Sequence, residues 1–271
     1  MTIKKSKTAW NGLTCMLTTA KLLQAFGRDF AQRLAKPYGD FVGLMTGKLP
    51  TTLNKIAIVL DMEPMLLDDM LKEKPDLIIT HHPLIYGSRY SVLKHDEAKR
   101  NLVHELDRHH IPVYSLHTNF DAGQGGMNDA LASAIGLLDI APLQGDPLAR
   151  GGHLVKPMKR LAFAQMVKEK LALPYVHLIP SGNPMISKVA LIGGGGAKYY
   201  PTAQAEGFDI FLSGDSAHHV RRGIVNAHFN YLEIAHEVET IFIPTMANYL
   251  KQLDPTLQLV TRFVQAFPVL V

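Results

Sequence analysis

Short β-branched and aliphatic runs alternate with longer amphipathic ones along most of this chain. That alternation restricts it to strand-helix-strand units built around largely parallel sheets. Strands are predicted at 55–60, 76–80, 112–116, 188–192, 208–212 and 229–233, and helices at 64–73, 96–108, 127–135, 159–171, 217–226 and 238–250. Pro64 suits a helical first turn, where no intrahelical N–H bond is lost. The strands fall into two groups, parted by a stretch rich in Pro, Gly and Asp that includes Pro142, Gly145, Pro147, Gly151 and Gly152. The expected architecture is α/β with two interlinked lobes and mostly parallel sheets: residues 1–138, a junction at 139–152, and residues 153–271.

A chain of 271 residues buries a sizeable core without staples. Cys15 is its single cysteine, which excludes an intramolecular disulfide and a Cys-based structural zinc site and suits a reducing, cytoplasmic setting. Lys4, Lys5 and Lys7 precede a partly apolar stretch, but Asn11, threonines and Lys21 interrupt it. It reads as an amphipathic helix rather than a signal peptide. No run approaches roughly 18 uninterrupted apolar residues, so no membrane span is expected. The net charge of +4 is too mild, and the basic residues too scattered, to support nucleic-acid binding, although they admit an anionic ligand.

In an open α/β sheet, ligands gather outside the carboxyl ends of the strands. The strand at 76–80 runs straight into His81 and His82, the one at 112–116 into His117 with Asp121 four residues on, and the one at 229–233 leads to His236, with Glu239 three residues further. Adjacent residues in extended backbone face opposite ways, so His81 and His82 are expected to serve two ions rather than chelate one. A lone histidine is ordinarily a hydrogen-bonded surface or core residue; the same chemistry at three strand ends is what points to a metal site. Imidazole and carboxylate without thiolate suit Zn, Fe, Mn or Ni and disfavour Cu(I) or an iron–sulfur cluster. Six side chains exceed what one catalytic ion with an open position takes, but they suffice for two divalent ions. The chemistry expected is metal-dependent hydrolysis of a small or nucleotide-like substrate. Phosphoester cleavage would use the same ligands, and a non-catalytic metal-binding or interaction protein is the alternative from another class.

The motifs that carry these residues resemble the NIF3-like family, whose members are named GTP cyclohydrolase 1 type 2 homologs. They are DFVGL at 40–44, DLIITHHPLIYG at 76–87, YSLHTNFD at 114–121 with GMN at 126–128, GGGG at 193–196, SGD at 213–215 and AHEVE at 235–239. Phe41 stands where the family usually has asparagine, and Ala235 where it has glycine. The resemblance implies a two-lobed α/β protein with a dinuclear site between the lobes, assembled as a hexameric ring of dimers. The short junction matches the compact form, without an inserted domain. The implied metal ligands are His81, His82, His117, Asp121, His236 and Glu239, with Glu237 as the alternative to Glu239. The implied reaction is opening of the GTP purine ring with loss of formate, for which His219 or Asp215 would carry the proton.

Other signals have two readings. The GGGGAK segment at 193–198 follows a strand and either cradles phosphate on its N–H groups or packs tightly; it is no Walker motif. Asp215, His218 and His219 follow a further strand end and are either partners of the metal ligands or turn and surface residues. His109 and His110 precede a strand and so lie at the opposite edge, with no chemistry expected. Thr118, Asn119 and Asn128 orient ligands or cap helices, and Tyr86 touches substrate or packs.

Overall fold

Two sheets carry the fold in the computed structural model, which describes residues 16–264 and residue 268. Lys4, Lys5, Lys7, Asn11 and Cys15 lie outside the described residues. Most of the stretch expected as an N-terminal helix lies outside the described residues; within them, Leu17–Thr18 is a short strand and a helix runs over Thr19–Asp29, with Thr18 accepting from the N–H of Lys21 at its start.

The first sheet has the strand order Gln258–Arg262, Lys55–Val59, Leu77–Thr80, Val113–Ser115, Gly43–Thr46. Its first four strands are parallel and the last is antiparallel. Ile56 and Ile58 pack into a core shared with the second sheet, while Ala57 and Val59 face a separate layer with Leu102, Val103 and Leu106 of the helix Glu97–Arg108. A strand buried on both faces reads as an unbroken apolar run, which is why this one is visible in the sequence.

The second sheet runs Leu138–Pro142, Arg150–Lys159, Met185–Leu191, Ile210–Ser213, Asn230–Ile234, Val176–Pro180. Only its middle three strands are mutually parallel; the outer pairings are antiparallel. The sheet is therefore mixed rather than mostly parallel. The helices Met127–Ile135 and Phe242–Leu253 contribute Leu131, Ile135, Met246 and Leu250 to the core that both sheets share.

Two placements differ from the sequence reading. Residues 139–152, expected as a junction, supply strand to the second sheet. Gly151 and Gly152 have the look of turn residues, yet they lie within a strand, and the positions are glycine because a Cβ there would clash with the Phe208 ring and the Leu138 carbonyl. The C-terminal strand Gln258–Arg262, expected with the second lobe, pairs instead with Lys55–Val59 of the first sheet. The chain thus crosses between the sheets twice, and the helix Phe242–Leu253 makes the return.

Candidate metal centre

The carboxyl ends of the parallel strands in the two sheets meet, and all six predicted side chains converge there. The strand Leu77–Thr80 stops before His81. The N–H groups of His81 and His82 both donate to the carbonyl of Leu60, so the chain bends and the two rings lie 5.0 Å apart. They do not point to opposite faces, because the backbone is no longer extended. His117 comes from the end of Val113–Ser115, with its ring 5.0 Å from His81 and 5.5 Å from His82. Asp121 follows on the short helix Thr118–Ala122.

His236 and Glu239 arrive from the second sheet on the 3₁₀ turn His236–Ile241. Residues i and i+3 eclipse in a 3₁₀ helix, which stacks Glu239 on His236 and directs Glu237 elsewhere. Glu239 is 3% exposed; its Oε2 lies 3.0 Å from His236 Nε2, 2.9 Å from His82 Nε2 and 3.8 Å from His81 Nε2. Glu237 borders a different cavity, beside Lys170 and Phe263. Of the two glutamates, the one in the cluster is thus Glu239. The neighbouring loop makes room for it: a Cβ on Gly194 would fall 2.0 Å from Glu239 Oε1.

Each histidine is held from behind. His82 Nδ1 donates to Asp61 Oδ1 at 2.7 Å, His117 Nδ1 to Asp40 Oδ2 at 2.5 Å, His236 Nδ1 to Asp215, and His81 Nδ1 to the Leu116 carbonyl at 2.9 Å. Thr118 also donates its hydroxyl to Asp40. With Nδ1 committed outward, Nε2 is the atom each ring can offer a cation, as outer carboxylates arrange in metal sites generally. Two overlapping donor groups result: His81, His82 and His117, and His82, His236 and Glu239, each with ligand atoms within 4.8 Å of one another. His81 Nε2 and Asp121 Oδ1 are buried without a hydrogen-bond partner among the described residues, 3.7 Å apart. A cation between them would satisfy both, so the donor set fits a divalent metal on geometry as well as on chemistry.

Electrostatics agree. Burial pushes His81 down to about 4, leaving a neutral ring. Burial opposes the charge on His82 too, but Asp61 and Glu239 on either side raise it to about 10; Glu239 together with Asp215 raises His236 to about 9 against its burial. Burial and the charge of Glu239 push Asp121 well above the usual carboxylate range, whereas Glu239, despite its own burial, is held well below it by the rings of His236, His81 and His82. Without metal at neutral pH, His82 and His236 are therefore imidazolium, and both must lose a proton before they ligate. Metal uptake near neutral pH is expected to release at least the protons of these two rings, and affinity to rise with pH until about 9 to 10. Calorimetric titration in buffers of different ionisation enthalpy reads this; a heat independent of buffer would contradict it.

Asp40 and Asp61 are partners of the candidate ligands that the sequence reading does not single out. Asp61 follows the strand Lys55–Val59, so the strand-end rule applied to that strand would find it; Asp40 stands in the DFVGL motif. Burial disfavours the Asp40 charge, yet the bonds from His117 and Thr118 bring it down to about 2. Asp61→Asn is expected to weaken metal binding about 10–100-fold with little change in stability, since its side chain is 41% exposed. Competition against a chromogenic chelator measures this, and unchanged affinity would remove Asp61 from the site.

The remaining candidates divide. Asp215 pairs with His236, while His218 and His219 are exposed on the helix His218–Asn226 and do not border the central cavity. Asn119 and Asn128 are structural: Asn119 accepts from the His117 N–H and donates to the Phe30 carbonyl, and Asn128 accepts from the Gly193 N–H and donates to the Leu148 carbonyl. Tyr86 is 60% exposed and borders the cavity. His109 and His110 lie at the opposite edge, exposed.

The sequence profile of the family described as Duf34/NIF3 (NGG1p interacting factor 3) matches residues 17–267. A GTP cyclohydrolase 1 type 2 homolog of Lactococcus lactis is 31% identical over 220 residues, covering 80% of this chain and 85% of that protein. One from Clostridium perfringens is 29% identical over 214 residues, 77% of this chain and 81% of its own length. Among solved structures, a hypothetical protein of Staphylococcus aureus superposes with a TM-score of 0.83 at 21% identity, over 94% of this chain and 99% of the other.

Proposed function

The chain belongs to the Duf34/NIF3 family, and from that premise we propose that it is a dinuclear metal-dependent hydrolase of a small or nucleotide-like substrate. The observation that supports this most directly is the pair of orphaned buried atoms, His81 Nε2 and Asp121 Oδ1, at the centre of four inward-facing imidazoles and two buried carboxylates. An imidazole Nε2 has one lone pair to give, so His82, common to both donor groups, ligates one ion and not two. His81, His117 and Asp121 on the side of the first sheet would hold one ion, and His236 and Glu239 the other, with His82 completing one of the sets. Two divalent ions, when bound, supply an acidified water and polarise the group it attacks.

The chain's own residues do the rest. Asp40, Asp61 and Asp215 keep Nδ1 of His117, His82 and His236 protonated and the rings in place. Asp215 also stands under Gly195 at the cavity wall, its Oδ2 3.7 Å from where a Cβ on that glycine would be. That position makes Asp215 a better proton carrier than His219. Opening of the GTP ring is the reaction suggested by the relatives' name, and phosphoester cleavage would use the same residues. The hexameric ring and the cytoplasmic setting belong to the same reading.

The test is the purified, metal-loaded chain with GTP and a panel of phosphoesters. Turnover that chelator abolishes and added metal restores is expected with at least one of them. Absence of metal-dependent turnover on all of them would turn the reading toward a non-catalytic metal-binding protein.

A further inference from the structure

Beside the metal centre opens a cavity of about 290 Å³. Its floor is Asp121, Glu239, His117 and His236, and a single lysine, Lys198, stands among the residues lining it. Lys198 is exposed and has no acidic partner among the described residues; its Nζ sits 5.1 Å from the centroid of the Tyr199 ring. That ring meets Tyr38 edge-on, and Tyr38 is anchored by donating its hydroxyl to the buried Asp146. The ammonium is thus placed over a fixed aromatic ring and lacks a counter-charge among the described residues.

The glycine-rich segment below Lys198 is not a general phosphate cradle. The Gly193 N–H is spent on Asn128, and the Gly196 N–H on Ser213 and the Gly194 carbonyl. Gly194 and Gly196 lack side chains because Glu239 and Ile192 occupy that space. Gly195 differs: it is exposed, it lines the cavity, and its N–H has no acceptor among the described residues.

We propose that Lys198 and the Gly195 N–H form an anion-receiving end of this cavity, which binds a phosphate or carboxylate group of the substrate while its reacting end faces Asp121 and Glu239. The anion-receiving end stands on Lys198 and Gly195 lining one cavity; only the orientation of the substrate rests on the hydrolase reading. The volume lies at the lower limit of ordinary small-molecule sites. A whole purine nucleoside triphosphate would extend beyond it into solvent.

The test titrates inorganic phosphate and, separately, acetate into the full chain, wild type, Lys198→Met and Lys198→Arg, with metal content measured on every sample and each titration repeated after chelation. Salt-sensitive binding of at least one anion is expected, weakened about 10-fold or more by Lys198→Met, as the loss of a charge-assisted hydrogen bond implies. Lys198→Arg should retain most of it, and metal content should not change. Preference for phosphate or for acetate names the group. Wild-type protein that binds neither anion, or Lys198→Met that binds as well as wild type, overturns the proposal. A wild-type chain that holds no metal but still shows Lys198-dependent anion binding would overturn the hydrolase reading and leave this one standing.

Discussion

His82→Ala or Asp121→Ala is expected to reduce the bound metal from the proposed two ions per chain to about one. The loss should exceed the roughly 10–100-fold produced by removing an outer hydrogen-bond partner, because a donor atom itself disappears. His82 is the side chain common to both donor groups. Asp121 supplies the orphaned oxygen. The two variants differ in a way that separates loss of metal from loss of fold. Without metal, the buried Asp121 carboxyl is pushed up by burial and by Glu239, so its ionised form opposes folding at every pH above the carboxyl's unfolded value. Removing it relieves that opposition, and metal-free Asp121→Ala should melt no lower at neutral pH than metal-free wild type. The increase in melting temperature that metal confers on wild type should be smaller in both variants. Elemental analysis and calorimetry with and without chelator measure both quantities, and full metal occupancy in either variant would sink the assignment.

The second large effect concerns stability. Arg150 is 2% exposed on the strand Arg150–Lys159. It donates to Asp129, to the carbonyls of Ala122 and Gly123, and to those of Pro147, Leu148 and Ala149. Ala122 closes the helix that carries Asp121, so one guanidinium ties that helix to the second sheet. Arg150→Met would leave Asp129 without its cation and take from the carbonyls of Ala122 and Pro147 the guanidinium they accept from, while those of Gly123, Leu148 and Ala149 keep Gly126, Asn128 and Leu143 as donors. Breaking a buried pair in this way costs roughly 3–5 kcal/mol; the value near 3 is expected because Asp129 keeps 22% of its side chain in water and still accepts from the Gly125 N–H. For a chain of this size that lowers the melting temperature by about 6–12 °C. Arg150→Lys should recover little, since an ammonium cannot reproduce the planar fork. A change under about 2 °C on thermal denaturation would show the bonds to be energetically idle.

How much of the fold is legible in the sequence follows from burial. The central strands are apolar on both faces, so the runs at 55–60, 76–80, 208–212 and 229–233 stand out. The strand Val176–Pro180 is at an edge and nowhere fully buried, and leaves no comparable run. Arg150–Lys159 hides behind its paired glycines, which serve close packing. The candidate ligands are legible for another reason: a parallel strand delivers its carboxyl end to one edge of the sheet, so a histidine directly after the strand is placed by the strand itself.

His81, His82, His117, Asp121, His236 and Glu239 are thus marked by sequence alone, since each lies within a few residues of a strand end and local geometry carries it to the crevice. Tertiary structure decided how they are used. It bent the chain at His81 so that both rings converge, and chose Glu239 over Glu237 through a 3₁₀ turn. It also brought Asp40, Asp61 and Asp215 behind the histidines. Those pairings join residues 21 to 77 positions apart, and the bond between His82 and Glu239 spans 157. Contacts of that kind depend on how the two sheets dock, for which no local periodicity or propensity carries a signal.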